Sequence, residues 1–154
     1  MKKLILLVVF GVMALVVARR WHTSGHHDGT SLVTDRIWIE RMPQGETDTI
    51  HALVMIDEHA HGMFFQGSVW RSLTEGFVYE LAGSELRATF PQTASKETFK
   101  VDAHACTVDG FEVCLELAGG THGIQRYYSM KAWVIESQAG ADARLATIMH
   151  ASHR

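Results

Sequence analysis

Positive charge is scarce through most of this chain: between Thr30 and Ser137, 8 Lys and Arg residues stand against 15 Asp and Glu. Without a basic stripe the domain cannot neutralise a phosphate backbone, and an anionic lipid surface repels it, so nucleic acid is excluded as a partner. Cysteine is nearly absent, two in 154 residues. Neither lies near the N-terminus, which excludes a lipid-modified N-terminal cysteine. No Gly-x-Ser-x-Gly, His-Glu-x-x-His, paired-carboxylate signature or nucleotide-binding loop occurs, and these absences weigh against an enzyme and against a bound cofactor. The apolar and charged fractions, 47% and 20%, are those of an ordinary globular chain with room for one core.

The longest apolar run is fifteen residues, Leu4–Ala18, between Lys2-Lys3 and Arg19-Arg20-Trp21. As a helix it spans roughly 22 Å, short of the roughly 30 Å of a hydrocarbon core, which suits a signal-peptide h-region. Val16 and Ala18 supply small residues for cleavage after Ala18. Arg19-Arg20, directly behind the run, instead resemble the flank of a retained anchor, with Trp21 at the interface. Residues 1–21 are thus a signal peptide or a membrane anchor, and either one predicts an exported, extracytoplasmic domain, secreted or tethered to a membrane. Residues 22–34 have linker composition; His22, His26, His27 and Asp28 within them are metal-capable side chains that a solvated linker equally well accounts for.

From residue 35 to 136 the pattern is β. Arg36–Arg41 alternates, and Met42-Pro43-Gln44-Gly45 closes it; Thr49–Ile56 follows. Phe77, Tyr79 and Leu81 share one face, as do Leu86, Ala88 and Phe90, then Phe99, Val101 and Ala103, which is period-two burial. Met63–Arg71 is the most aromatic strand, with Gly67 in its interior as a bend or bulge, Phe64 and Trp70 on one face and Phe65 and Val69 on the other. Gln125–Glu136 reads as a last long strand. Leu145, Ile148 and Met149 then share a helical stripe, predicting a short helix within 137–154 that starts near Asp142.

Cys106 and Cys114 bracket Asp109-Gly110, a strong hairpin turn. A two-residue turn sets Cys106 opposite Val113 and Cys114 opposite Ala105, diagonal neighbours; a three-residue loop sets the cysteines face to face. Both registers predict a disulfide in an exported chain. Ala118–Gly123 is a glycine-rich turn between antiparallel strands. His59 and His61 share a face if the second strand continues, a chelating arrangement that Asp57 or Glu58 would complete, although hairpin loops have the same polar composition.

The fold class is all-β: an antiparallel meander closing into a small barrel, with a β-sandwich as the alternative and a short C-terminal helix. Seven or eight strands in about 100 residues before a short helix resemble the lipocalin or calycin barrels. Gly67-Ser68-Val69-Trp70 and Arg126 stand nearest to that family's Gly-x-Trp and late basic residue, one residue longer and in the third strand rather than the first. The resemblance implies a cup for a small apolar ligand, lined by Phe77, Tyr79, Phe99, Val101, Tyr127 and Trp133. Three functional classes follow, led by a non-enzymatic binding barrel, which requires apolar volume beyond a closed core. An envelope interaction module with a protein partner instead requires a packed interior and an exposed aromatic patch. A metal-binding envelope protein requires His59 and His61 to chelate.

Overall fold

The computed structural model describes residues 32–45, 47–68 and 70–150. Residues 1–21, expected to be a signal peptide or anchor, the histidines at 22, 26 and 27 with Asp28, Val69, His153 and Arg154 lie outside the described residues.

The alternating segments form eight strands: β1 (Arg36–Ile39), β2 (Ile50–Ile56), β3 (His61–Gly67), β4 (Ser72–Ala82), β5 (Glu85–Phe90), β6 (Ser95–Val108), β7 (Phe111–Ala118) and β8 (Arg126–Ser129), followed by helix α1 (Gln138–His150). Each pairs antiparallel with the next, and β8 returns to β1 through Ile39 opposite Tyr128, so the meander closes as a barrel rather than opening into a sandwich. This architecture is compatible with the lipocalin-like expectation. Closure removes both sheet edges, and Ser129 reinforces the seam by donating its hydroxyl to the Ile37 carbonyl at 2.7 Å.

Period-two alternation delivers one residue in two to the interior, and in an eight-strand barrel that space is just wide enough for side chains to fill. Here aromatic rings fill it. Phe64 lies 5.0 Å from Phe77, Phe77 5.6 Å from Phe90, and Phe64 6.1 Å from Phe99, ring centre to ring centre, with Trp38, Leu53, Leu86, Leu115 and Tyr127 buried around them. Room for Phe77 comes from Gly62, its partner across β3 and β4. A Cβ at Gly62 would stand 2.1 Å from Phe77 Cζ. One end of the barrel is closed by Val33, whose carbonyl accepts from Trp38 Nε1 at 2.9 Å, and by Arg36, which lies 5.9 Å over the Trp38 ring and donates to the Met130 carbonyl. Val33 and Thr34, at the end of the expected linker, are buried.

A second apolar layer lies outside the barrel. Ile37 and Ile39 of β1 and Ile50, Ala52, Val54 and Ile56 of β2 turn outward and are buried by Trp133, Ile135 and the α1 stripe Ala141, Leu145, Ile148 and Met149. Covered on both faces, β2 reads as a nearly continuous apolar run. The helix therefore covers a barrel wall, not an end.

Four expectations are corrected. The aromatic third strand stops at Gly67: Ser68 N–H donates to the Arg71 carbonyl in a tight turn, so Gly67 is no internal bend, and Trp70 is 78% exposed rather than facing the same way as buried Phe64. The last strand is four residues, not twelve. After Ser129 the chain turns, Trp133 N–H donating to the Met130 carbonyl, and then crosses back to β1 through Ile37 N–H to Trp133 O and Ile135 N–H to Asp35 O. The helix begins at Gln138 because Ser137 caps it, its hydroxyl accepting from Gly140 N–H, which places Asp142 inside it. Finally, Asp109 and Gly110 form the two-residue turn, both with positive φ, but a bulge between Ala105 and Val108 shifts the register by one, setting Cys114 opposite His104 and Ala105 opposite Val113. Cys106 and Cys114 are nevertheless disulfide-bonded.

Two outcomes follow from this packing. Gly62→Ala has no free volume to enter, and urea unfolding should show a loss of about 1–3 kcal/mol. Thiol labelling of denatured, unreduced protein should find no free cysteine, whereas Cys106→Ser/Cys114→Ser should unfold at lower denaturant by at most about 2–3 kcal/mol, because the closed loop is short.

Candidate functional site

Outside the barrel, beside the layer buried by α1, the wall is left open as a groove. Its floor is the outward face of β3 and β4, with Met63, Thr74, Gly76 and Val78; its walls are Ser137 and Gln138 at the start of α1 and Pro91 and Gln92 in the β5–β6 turn. Glu58, His59 and His61 stand at one end, and the volume is about 720 Å³. Gly76 keeps the floor low, since it places no side chain where the outward register of β4 would otherwise put one. The neighbouring Gln92 amide caps the Gly76 backbone: in the orientation that satisfies both groups it donates to the Gly76 carbonyl at 2.8 Å and accepts from the Gly76 N–H at 3.2 Å. The side chain thus continues the sheet where β5 has already turned away. The size falls in the range of small-molecule sites, roughly 300–1,000 Å³.

At the mouth of the barrel, opposite the end closed by Val33, polar groups meet. Residues 119–125 cross the opening, and Glu97, at the end of the inward stripe that continues as Phe99 and Val101, fastens them. Its carboxylate accepts from the Thr121 hydroxyl, from Thr121 N–H at 2.9 Å and from His122 N–H at 3.2 Å. His122 Nδ1 lies 2.9 Å from Glu97 and Nε2 3.3 Å from Glu75 of β4, while the ring stacks on Phe90 at 4.0 Å. Burial acts most strongly on Glu97 and would raise its pKa, but the hydrogen bonds of Thr121 and His122 together outweigh it and hold the carboxyl at about 2. A cavity of about 240 Å³ opens beside His122 and reaches Phe64 and Tyr127.

Of the six side chains expected to line a ligand cup, Phe77, Tyr79, Phe99, Val101 and Tyr127 do converge inside the barrel, as members of the packed core with little exposure. Burial raises both tyrosines, Tyr127 to about 12 despite the N–H of Ile124 donated to its hydroxyl. Trp133 lies elsewhere, edge-on to Phe111 in the outer layer. His59 and His61 come together with ring centres 6.3 Å apart, and Glu58 approaches His59 at 3.9 Å; among the described residues no group of three or more His, Cys, Asp or Glu side chains gathers as a metal site. Arg126 pairs with Glu116 on the surface at 2.9 Å. Also among the described residues, no helix is long and apolar enough to cross a membrane.

The sequence reading missed the groove and the mouth cluster. The outward register of Val78 and the absent side chain at Gly76 were visible signals for the first, and Glu75 and Glu97, each two residues before an inward phenylalanine, for the second. Comparison with known proteins finds no matching family model and no significant match among curated proteins or solved structures. The functional argument therefore rests on geometry.

Because the Glu97 carboxyl lies below its usual value of 4.5 when folded, the stability it contributes is complete above that value and is lost as pH falls toward 2. Glu97→Gln should be less stable than the parent at pH 7 by about 1–3 kcal/mol, and the gap should close between pH 4.5 and 2 when both are unfolded in urea across that range. Asp48, held at about 2 chiefly by its hydrogen bond from Arg41, titrates equally in both proteins and cancels.

Proposed function

We propose that this domain is a non-enzymatic binding module that takes a small apolar molecule in the outer groove, between the start of α1 and the β5–β6 turn. The observation that carries this reading is the groove itself: about 720 Å³ over a floor of Met63, Thr74, Gly76 and Val78, in which Thr74 is the one polar side chain, with the charged and amide side chains at the ends and walls. It moves the ligand from the barrel interior, where the rings already occupy the space, to the outer wall. Val78 is exposed there despite lying in a well-paired strand, as a floor awaiting a cover would be.

Export to an oxidising compartment, as a secreted or tethered domain, is part of the same proposal. The Cys106–Cys114 disulfide and the apolar run before the domain support it. A second reading, an envelope interaction module, is favoured by a different observation. The interior is packed, and the β3–β4 turn presents Trp70 with Leu73, which is 67% exposed, as an apolar tip.

Titration with the neutral fluorescent probe N-phenyl-1-naphthylamine tests the groove. Saturable binding is expected, weakened at least tenfold by Gly76→Trp, which fills the floor; an added Cβ there meets nothing nearer than Gln92 at 3.4 Å, so the fold should be retained by circular dichroism. Trp70→Ser should leave probe binding unchanged. No saturable binding by the parent, or equal binding by Gly76→Trp, would remove the groove reading and leave the interaction module in the lead.

A further inference from the structure

His122 is held at the barrel mouth in the way a receptor holds a guest. One face of its ring stacks on Phe90 at 4.0 Å and 19°, closer than the roughly 4.5–7 Å usual between the ring centres of aromatic pairs. Its two nitrogens lie within ion-pair distance of carboxylates from two different strands, Glu97 of β6 at 2.9 Å and Glu75 of β4 at 3.3 Å, with Nδ1 buried and outside hydrogen-bond alignment. Both strands direct these groups inward, in register with Phe77 and Phe99, so the barrel wall and not the loop builds the slot. The loop supplies the ring, together with the Thr121 hydroxyl and the N–H groups of Thr121 and His122 that hold Glu97 in place.

That loop is shaped to put the ring there. At Gly120 a Cβ would stand 1.9 Å from the Phe99 ring, and at Gly123, with φ of +73°, 2.4 Å from Phe64. The backbone on each side of His122 thus lies directly on the core rings with no side chain between. Next to the imidazole the mouth remains open as a cavity of about 240 Å³ that descends to Phe64 and Tyr127. This is below the roughly 300 Å³ of drug-sized sites and suits a guest of one ring.

We propose that the barrel mouth is a binding slot for a small planar cation with N–H donors on opposite edges, of the imidazolium or guanidinium class, and that His122 is its tethered occupant, closing the slot until a guest displaces it. The guest class follows from the slot. Ionised carboxylates accept and do not donate, so each edge of the guest must present a donor. The flat face of Phe90 requires planarity and favours a cation over it. The site is separate from the outer groove and stands or falls independently of it.

Chemical rescue tests the proposal. Removing the ring with His122→Gly should lower the melting temperature, and imidazole at pH 6 should restore it saturably; pyrrole, the same size with a single N–H, and sodium chloride at equal concentration should not. The parent should need at least tenfold more imidazole for any shift, because its own ring competes. Equal responses of parent and variant, equal rescue by pyrrole, or no rescue at all would overturn the assignment. Should His122→Gly fail to fold, backbone NMR of the parent replaces it: millimolar imidazole should shift the amides of Thr121 to Ile124 with saturation, and unmoved amides would overturn the proposal as surely.

Discussion

The structure depends on one steric constraint: closing eight short strands creates an interior that must be filled, and the phenylalanines at positions 64, 77, 90 and 99 fill it ring against ring. Rings of this size cannot be accommodated by every neighbour. Where Phe77 turns inward its cross-strand partner is Gly62, and where Phe99 and Phe64 reach the mouth the loop above them offers Gly120 and Gly123. The glycines and aromatics are one packing solution distributed over distant positions, which is why neither set is intelligible alone. A core filled in this way leaves little room between its rings, and the groove and the mouth cavity lie on the outer wall and at the rim.

How far this could be read from the chain depends on which physical signal each part uses. Inward stripes such as Phe77–Tyr79 and Phe99–Val101 obey period two, a local signal, and the strands and their buried faces were legible from it. Barrel closure was legible only as one of two options, because the β1–β8 seam, Ile39 opposite Tyr128 with Ser129 bonded to Ile37, decides it and no local pattern encodes that pairing. The segment after Ser129 misleads for a related reason. Trp133, Val134 and Ile135 have strand propensity, but Trp133 and Ile135 are buried in the outer apolar layer with α1 and β1 while Val134 is exposed, so composition is strand-like while the backbone runs as a return loop.

The six ring and aliphatic positions expected to face a ligand illustrate the limit more sharply. Inward direction follows from alternation, and it was right for five of them. Whether an inward ring touches a guest or another ring depends on the summed volume of all inward residues against the barrel's interior, a global quantity. Trp133 failed earlier, at the step of assigning it to the barrel wall. Conversely, Glu75 and Glu97 lay on the same inward stripes as Phe77 and Phe99, and a carboxylate in that register is costly unless it reaches a donor. Their position two residues from a core ring was the available sign of a polar site at the barrel end. What the chain does not disclose locally is that the donor is His122, 25 residues from Glu97.

The two open regions differ in how each is kept ready. In the groove the vacancy comes from subtraction: Gly76 withholds a side chain, and Gln92 satisfies the backbone that is thereby uncovered, so the floor stays apolar without an orphaned peptide group. At the mouth the site exists by addition, a self-supplied ring meeting two carboxylates that would otherwise repel each other at the rim of an acidic domain. The groove should therefore bind with little rearrangement, and its occupancy should scale with apolar area buried. On the proposed reading, a guest that replaces the His122 ring must break its contacts with Phe90, Glu75 and Glu97, so its apparent affinity scales with the fraction of time the ring is out of the slot. The same Glu97 interactions that hold residues 121 and 122 in place would set that fraction, which on this reading couples the stability of the barrel end to access through it.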